Sequence, residues 1–173
     1  MFSKTIEAKM NDQIQHEIYS AYLYMAISAW FEDINMPGAA AWMSSQAQEE
    51  MTHALRFYNH ILERGGRVEL QSIEKPPAEF DSMLAAFEAS LEHEKLVTSQ
   101  IYDIYATSEK ENDYASRTLL QWFIDEQVEE EKSVGDVVTQ LKMVGDNKGG
   151  LFMLDRELGQ RPSTFNLAPS GGE

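Results

Sequence analysis

In the stretch QAQEEMTHA, residues 46 to 54, Glu50 and His53 stand three positions apart. On a helix that spacing places a carboxylate and an imidazole on one face, where both can reach a single cation. Taking about 100° per residue, Met43, Ala47, Ala54, Phe57 and Ile61 all fall within roughly 60° of Glu50. Glu50 therefore lies on the stripe that faces a core. An ionised carboxylate there is costly unless something cationic meets it.

Three further segments repeat the arrangement. Glu17 shares its face with Met10, Ile14, Ala21, Tyr24 and Ser28. Glu94 lies with Phe87, Leu91, Thr98, Ile101 and Tyr105. Glu130 lies with Leu119, Phe123, Val134, Val137 and Leu141, and Glu126 and Gln127 are close beside it. A lone glutamate on an apolar stripe is ordinarily a boundary residue whose head reaches water. Four of them, one per helix and each near mid-length, can be brought to one level by antiparallel packing.

Crowded carboxylates repel one another and take up protons. Lys and Arg are scarce on these stripes, so metal cations are the expected balancing charge. Hard oxygen ligands with one imidazole suit iron better than copper or structural zinc. The spacing favours two ions: Glu17, Glu50 and His53 hold the first, Glu94 and Glu130 the second, and Glu50 bridges them.

The elements that position these residues are legible from breaks in the pattern. Helices are expected over about 3–34, 38–64, 82–110, 113–144 and 149–158, within a single domain spanning 1–160. Pro37 suits a first helical turn, and Gly65-Gly66 ends the second helix. Residues 66–80 read as an extended connection, because Pro76-Pro77 forbids helix. That connection is long enough to travel the length of a bundle, which makes the second and third helices parallel. The expected fold is all-α: a four-helix bundle with one long crossover and a short fifth C-terminal helix. Residues 161–173 read as a flexible tail.

Composition narrows the partners. The chain has 173 residues, a net charge of −15, 43% hydrophobic residues and no cysteine. The acidic balance argues against nucleic acid, and the hydrophobic content against a disordered acidic chain. Thiolate metal sites and cysteine catalysis are excluded. The N-terminus, MFSKTIEAKMNDQ, lacks an apolar signal core, and no apolar run reaches membrane-spanning length. A soluble cytoplasmic protein is expected.

At this point the sequence resembles the bacterial non-haem ferritins. The likeness runs from QIQHEIYSAYLYMAISAWF through AQEEMTHALRFYNHI and HEKLVTSQI to LLQWFIDEQVEEEK, and includes GGLFMLDREL. The resemblance implies a hollow shell of twenty-four copies. Each bundle would oxidise Fe(II) with dioxygen or hydrogen peroxide, and the ferric product would be stored as mineral. Carried over residue by residue, the first iron site matches Glu17, Glu50 and His53. The second matches Glu50, Glu94 and Glu130, with Gln127 nearby. A third matches Glu49, Glu126 and Glu129, with Glu130 shared. The resemblance also implies that Tyr24 neighbours the iron and supplies an electron. Trp122 is expected in the core near the site, with a donor role open to it.

Haem is not expected. Bacterioferritin, the haem-containing relative, carries a second E-x-x-H on the fourth helix, where this chain reads EQVEEE. Met51 is expected to be ordinary packing. The remaining alternatives are a non-catalytic metal-binding shell and, more distantly, a di-iron oxygenase. Leu151, Leu154 and Leu158 recur at helical spacing and suit a helix-to-helix contact in an assembly.

Overall fold

The computed structural model describes residues 2–161. Among them are five helices and no strand: α1 (Lys4–Asp33), α2 (Pro37–Glu63), α3 (Met83–Lys110), α4 (Tyr114–Val144) and α5 (Lys148–Leu158). Four helix starts are capped by the residue just before them. Ser3 accepts from the Ile6 amide, Ser82 from Ala85, Asp113 from Ser116 and Asn147 from Gly150, at 3.0 to 3.2 Å. Each cap satisfies one of the amides a helix start leaves without an internal partner.

The first three helices stop by one device. Asn35, Gly65 and Asn112 adopt left-handed φ of 59°, 72° and 58°. The next amide then returns to the helix: Met36 to Phe31, Gly66 to Ile61 and Asp113 to Ser108, at 2.8 to 2.9 Å. Asn112 thus ends α3 while Asp113 caps α4.

Cross-helix partners fix the directions. On α1 and α3, Lys9 meets Asp103 and Ser20 meets His93, so these helices are antiparallel. Ser28 bonds the Ala40 carbonyl across the tight α1–α2 turn, which makes that pair antiparallel too. Hence α2 and α3 run parallel, joined by the extended segment 66–80.

Two apolar blocks fill the bundle. One gathers Tyr24, Ile27, Phe31, Met43, Phe87, Val134 and Leu141 with α5. The other gathers Ile6, Met10, Ile14, Phe57, Ile61, Ile101, Leu120 and Phe123. Phe57 and Phe123 stack in the second block with centroids 4.2 Å apart. At about 1.5–3 kcal/mol for each large side chain buried, these blocks stabilise the fold enough to tolerate polar groups between them.

Helix α5 closes one end. Met36 gives α2 no side-chain cap, and Asp155 of α5 accepts from the Ala39 amide at 2.8 Å in its stead. A Cβ on Gly38 would stand 1.7 Å from the Asp155 carbonyl oxygen, so only glycine allows this approach. Leu154 and Leu158 are buried in the chain's own core, with Leu151 packed against it. These leucines therefore serve an internal contact and are not kept free for a neighbouring subunit. The exposed apolar residues of α5 are instead Phe152 and Met153. The tail expected from 161 onward lies outside the described residues except for Arg161, which is tied down by side-chain contacts. No helix among the described residues is long and apolar enough to cross a membrane.

Candidate metal centre

Between the apolar blocks lies a layer of acid. Glu17, Glu50, His53, Glu94, Gln127 and Glu130 converge there from α1, α2, α3 and α4, none more than 3% exposed. Glu17, Glu50 and His53 each offer a ligand atom within 4.8 Å of the others. His53 Nδ1 stands 3.3 Å from Glu50 Oε2, as the E-x-x-H spacing dictates. Its Nε2 faces Glu126 Oε1 at 3.8 Å, and His53, Glu126 and Glu130 form a second group within the same limit. His53 thus stands between both groups.

Glu94 is oriented differently. Its Oε1 accepts the Tyr24 hydroxyl and its Oε2 the Gln127 amide at 3.2 Å. Gln13, one turn before Glu17, donates to Glu17 Oε1 at 2.8 Å, and Gln46 donates to Glu130 Oε2 at 2.7 Å. Neutral donors therefore steer three of the carboxylates. Two oxygens, Glu17 Oε2 and Glu50 Oε1, are buried without any partner. Such atoms are costly to leave bare, and a cation between them would satisfy both.

Burial raises all four carboxyl groups. Glu17 is pushed up by desolvation, and Glu50 well above the carboxylate range by desolvation and by the Glu94 charge. Glu94 rises to about 7, and Glu130 to about 8 with the Glu94 and Glu49 charges adding to burial. For His53 desolvation acts downward, but Glu126, Glu50 and Glu17 outweigh it and lift the imidazole to about 11. Without metal, the layer balances its charge with protons. A divalent ion entering the layer would displace them.

The outer residues are more dispersed. Glu49 and Glu126 are half-buried at the edge of the layer, while Glu129 is exposed and lines a surface depression with Asp125, Lys132 and Asp136. Glu129 is in neither compact group. Glu131, on the same run, is held by the Thr98 hydroxyl at 2.6 Å. Trp122 packs edge-on against His53 at 5.5 Å, with the Arg56 guanidinium 3.7 Å from its ring centre.

A family model described as a ferritin-like domain matches residues 7–144. The chain belongs to the ferritin family. A bacterial non-heme ferritin from Staphylococcus aureus is 36% identical over 161 residues, covering 93% of this chain and 97% of that one. A probable bacterial non-heme ferritin-like protein from Haemophilus influenzae is 36% identical over 159 residues, covering 92% and 96%. Among solved structures, an open pore ferritin from Archaeoglobus fulgidus shares 44% identity and a TM-score of 0.93, covering 94% of this chain and all of that one.

Three polar residues that touch this ferritin's acid layer were not singled out from the sequence. Gln13 and Gln46 each stand four residues before a core glutamate, a spacing that puts them on the same helix face. That signal was available. Arg161 was not findable in this way, since it reaches Glu49 and Gln46 from beyond α5. Met51, expected as ordinary packing, is instead 42% exposed on α2. The other three histidines are only half-buried, and His93 is drawn to about 4 by burial and the nearby His16.

Proposed function

We propose that this ferritin oxidises Fe(II) to Fe(III) between its four helices and stores the ferric product inside an oligomeric shell. The observation that carries the reading is the meeting of Glu17, Glu50 and His53 within 4.8 Å, with two carboxylate oxygens buried and unpartnered. Iron is the substrate. In our reading Glu17, Glu50 and His53 hold one Fe(II), Glu50, Glu94 and Glu130 the second, and Glu49, Glu126 and Glu129 a looser third ion. Gln127 positions Glu94.

Two Fe(II) ions give up one electron each, and dioxygen takes both with two protons to yield hydrogen peroxide. Peroxide can in turn accept two electrons from a further pair of Fe(II) ions with two more protons, giving two water molecules. Carboxylates favour the trivalent product over the divalent substrate because attraction grows with ionic charge. Protons displaced from the raised carboxyl groups on metal entry lie close to where reduced oxygen needs them. In this reading Tyr24, the buried phenol that donates to Glu94, supplies a further electron.

The surface favours assembly. Tyr22 and Met25 on α1, and Met51, Leu55 and Leu62 on α2, are 42 to 60% exposed and apolar. A run of this kind favours burial against further copies. The Archaeoglobus fulgidus protein is described as an open pore ferritin, and a pore presupposes an enclosing assembly. We extend that to a shell of twenty-four copies here.

The test is aerobic loading with Fe(II), followed by absorbance of the ferric product and sizing of the particle. Wild-type protein should oxidise iron faster than buffer and retain it in a large particle. Oxidation at the buffer rate would favour a passive metal-binding shell. A mass near one 19.7 kDa chain would remove the storage reading.

A further inference from the structure

Beyond the four helices, one cation reaches the edge of the acid layer. Arg161 follows α5 by three residues, and its amide still bonds the Leu158 carbonyl at 3.2 Å. Its guanidinium lies 4.9 Å from the Trp42 ring centre, donates to Gln46 Oε1 and reaches Glu49 Oε2 at 3.3 Å. Trp42, Gln46 and Glu49 stand at i, i+4 and i+7 of α2, so they form one face for the planar cation.

Gln46 extends the contact inward. A guanidinium can only donate, so the amide must turn its oxygen to Arg161 and its NH2 group to Glu130. The Gln46 to Glu130 bond at 2.7 Å is buried. One arginine thus holds Glu49 directly and fixes Glu130 through a neutral relay. Its place is set by α5, which Asp155 and Gly38 lock onto the start of α2.

We propose that Arg161 is a tethered counter-ion that competes with a metal ion for the outer carboxylates, and so sets how readily iron is held on the Glu49 side of the centre. This rests on the reading of the layer as an iron site. Glu49 cannot serve a metal and the guanidinium together, so an ion settles there only when Arg161 swings away. Side chains of Arg161 and Glu49 are 29% and 25% exposed, which leaves room for that movement. The bond between them is therefore of modest strength and reversible. An ion leaving the inner layer by this edge would be followed by the arginine, which restores the charge balance behind it.

The experiment is calorimetric titration of the metal-free, assembled protein with Zn(II), a redox-silent probe, in wild type, Arg161→Ala, Arg161→Lys, Glu49→Gln and the Arg161→Ala/Glu49→Gln double variant. The tight equivalent at Glu17, Glu50 and His53 should be unchanged in Arg161→Ala, and the weakest equivalent should tighten by roughly two- to fivefold, the range of a partly exposed ion pair. Arg161→Lys should fall between, because it keeps charge but loses the fork that spans Gln46 and Glu49. Glu49→Gln should abolish the gain in the double variant. A purely structural arginine would lower the melting temperature without changing the order of these affinities. Unchanged or weaker outer binding in Arg161→Ala, with the tight equivalent intact, overturns the proposal alone. Loss of tight binding in the wild type itself overturns the iron-site reading and this proposal with it.

Discussion

Tyr24 donates its hydroxyl to Glu94 across the α1–α3 interface, on the opposite side of that carboxyl group from the Gln127 amide. Both are neutral donors, and both hold the Glu94 pKa below where burial alone would put it. Burial and the Glu94 charge keep the phenol itself protonated, far above its ordinary range. Tyr24→Phe should therefore raise Glu94 from about 7 and move the pH midpoint for Zn(II) binding upward. It should also lower metal-free stability by about 1 kcal/mol for a lost buried hydrogen bond. Calorimetry between about pH 6 and 8 checks the shift. An unchanged midpoint would show that Tyr24 does not govern this carboxylate.

A second expectation concerns stability without metal. Glu94 and Glu130 have folded pKa values of about 7 and about 8, above their ordinary 4.5. The folded state then favours the protonated carboxyl. The stabilising contribution is complete below pH 4.5 and is lost as pH rises through about 7 and then about 8. With a chelator present, the urea midpoint should fall from pH 6 to about pH 8 on account of these groups. Glu94→Gln and Glu130→Gln should each flatten part of that slope and exceed the wild type at the alkaline end. Parallel slopes in all three proteins would mean that the layer does not carry these protons.

The close seat of α5 gives a third. Gly38→Ala drives a methyl into the Asp155 carbonyl, and overpacking of this kind costs about 1–3 kcal/mol. Asp155→Ala removes the acceptor for the α2 start and should cost about 1 kcal/mol. Denaturation midpoints measure both. Because Arg161 is carried by α5, Gly38→Ala should also reproduce part of the outer-site tightening expected of Arg161→Ala. A destabilised Gly38→Ala variant with wild-type outer affinity would separate α5 docking from Arg161.

What the sequence made legible followed from single-helix geometry. The angular stripe placed Glu17, Glu50, Glu94 and Glu130 inside, and the three-residue spacing placed His53 beside Glu50, because each relation is fixed within one helix. Breaks at Pro37 and Pro76-Pro77 gave the bundle and its crossover, since proline limits what the backbone can do locally. Relations between distant elements were not legible. Nothing in α5's sequence shows that Asp155 caps α2, 116 positions away, or that Arg161 returns to Glu49. Rotation of side chains within the layer was likewise hidden: Glu94 turns to Tyr24 and Gln127, and Glu129 faces solvent. Leucines at helical spacing in α5 did not reveal whether their partner was another subunit or the same chain.

The central claim is that two iron ions share this acid layer, and anomalous diffraction at the iron edge tests it most directly. Crystals of the assembled protein should be soaked in Fe(II) without oxygen, beside crystals of Glu50→Ala. The account predicts two peaks roughly 3.5–4 Å apart, the spacing of paired-metal sites, one against Glu17, Glu50 and His53 and the other against Glu50, Glu94 and Glu130. Glu50→Ala should lose the pair while its metal-free melting temperature holds or rises, because carboxylate crowding is relieved. No iron between the helices at saturating Fe(II), or an undisturbed pair in Glu50→Ala, would contradict it.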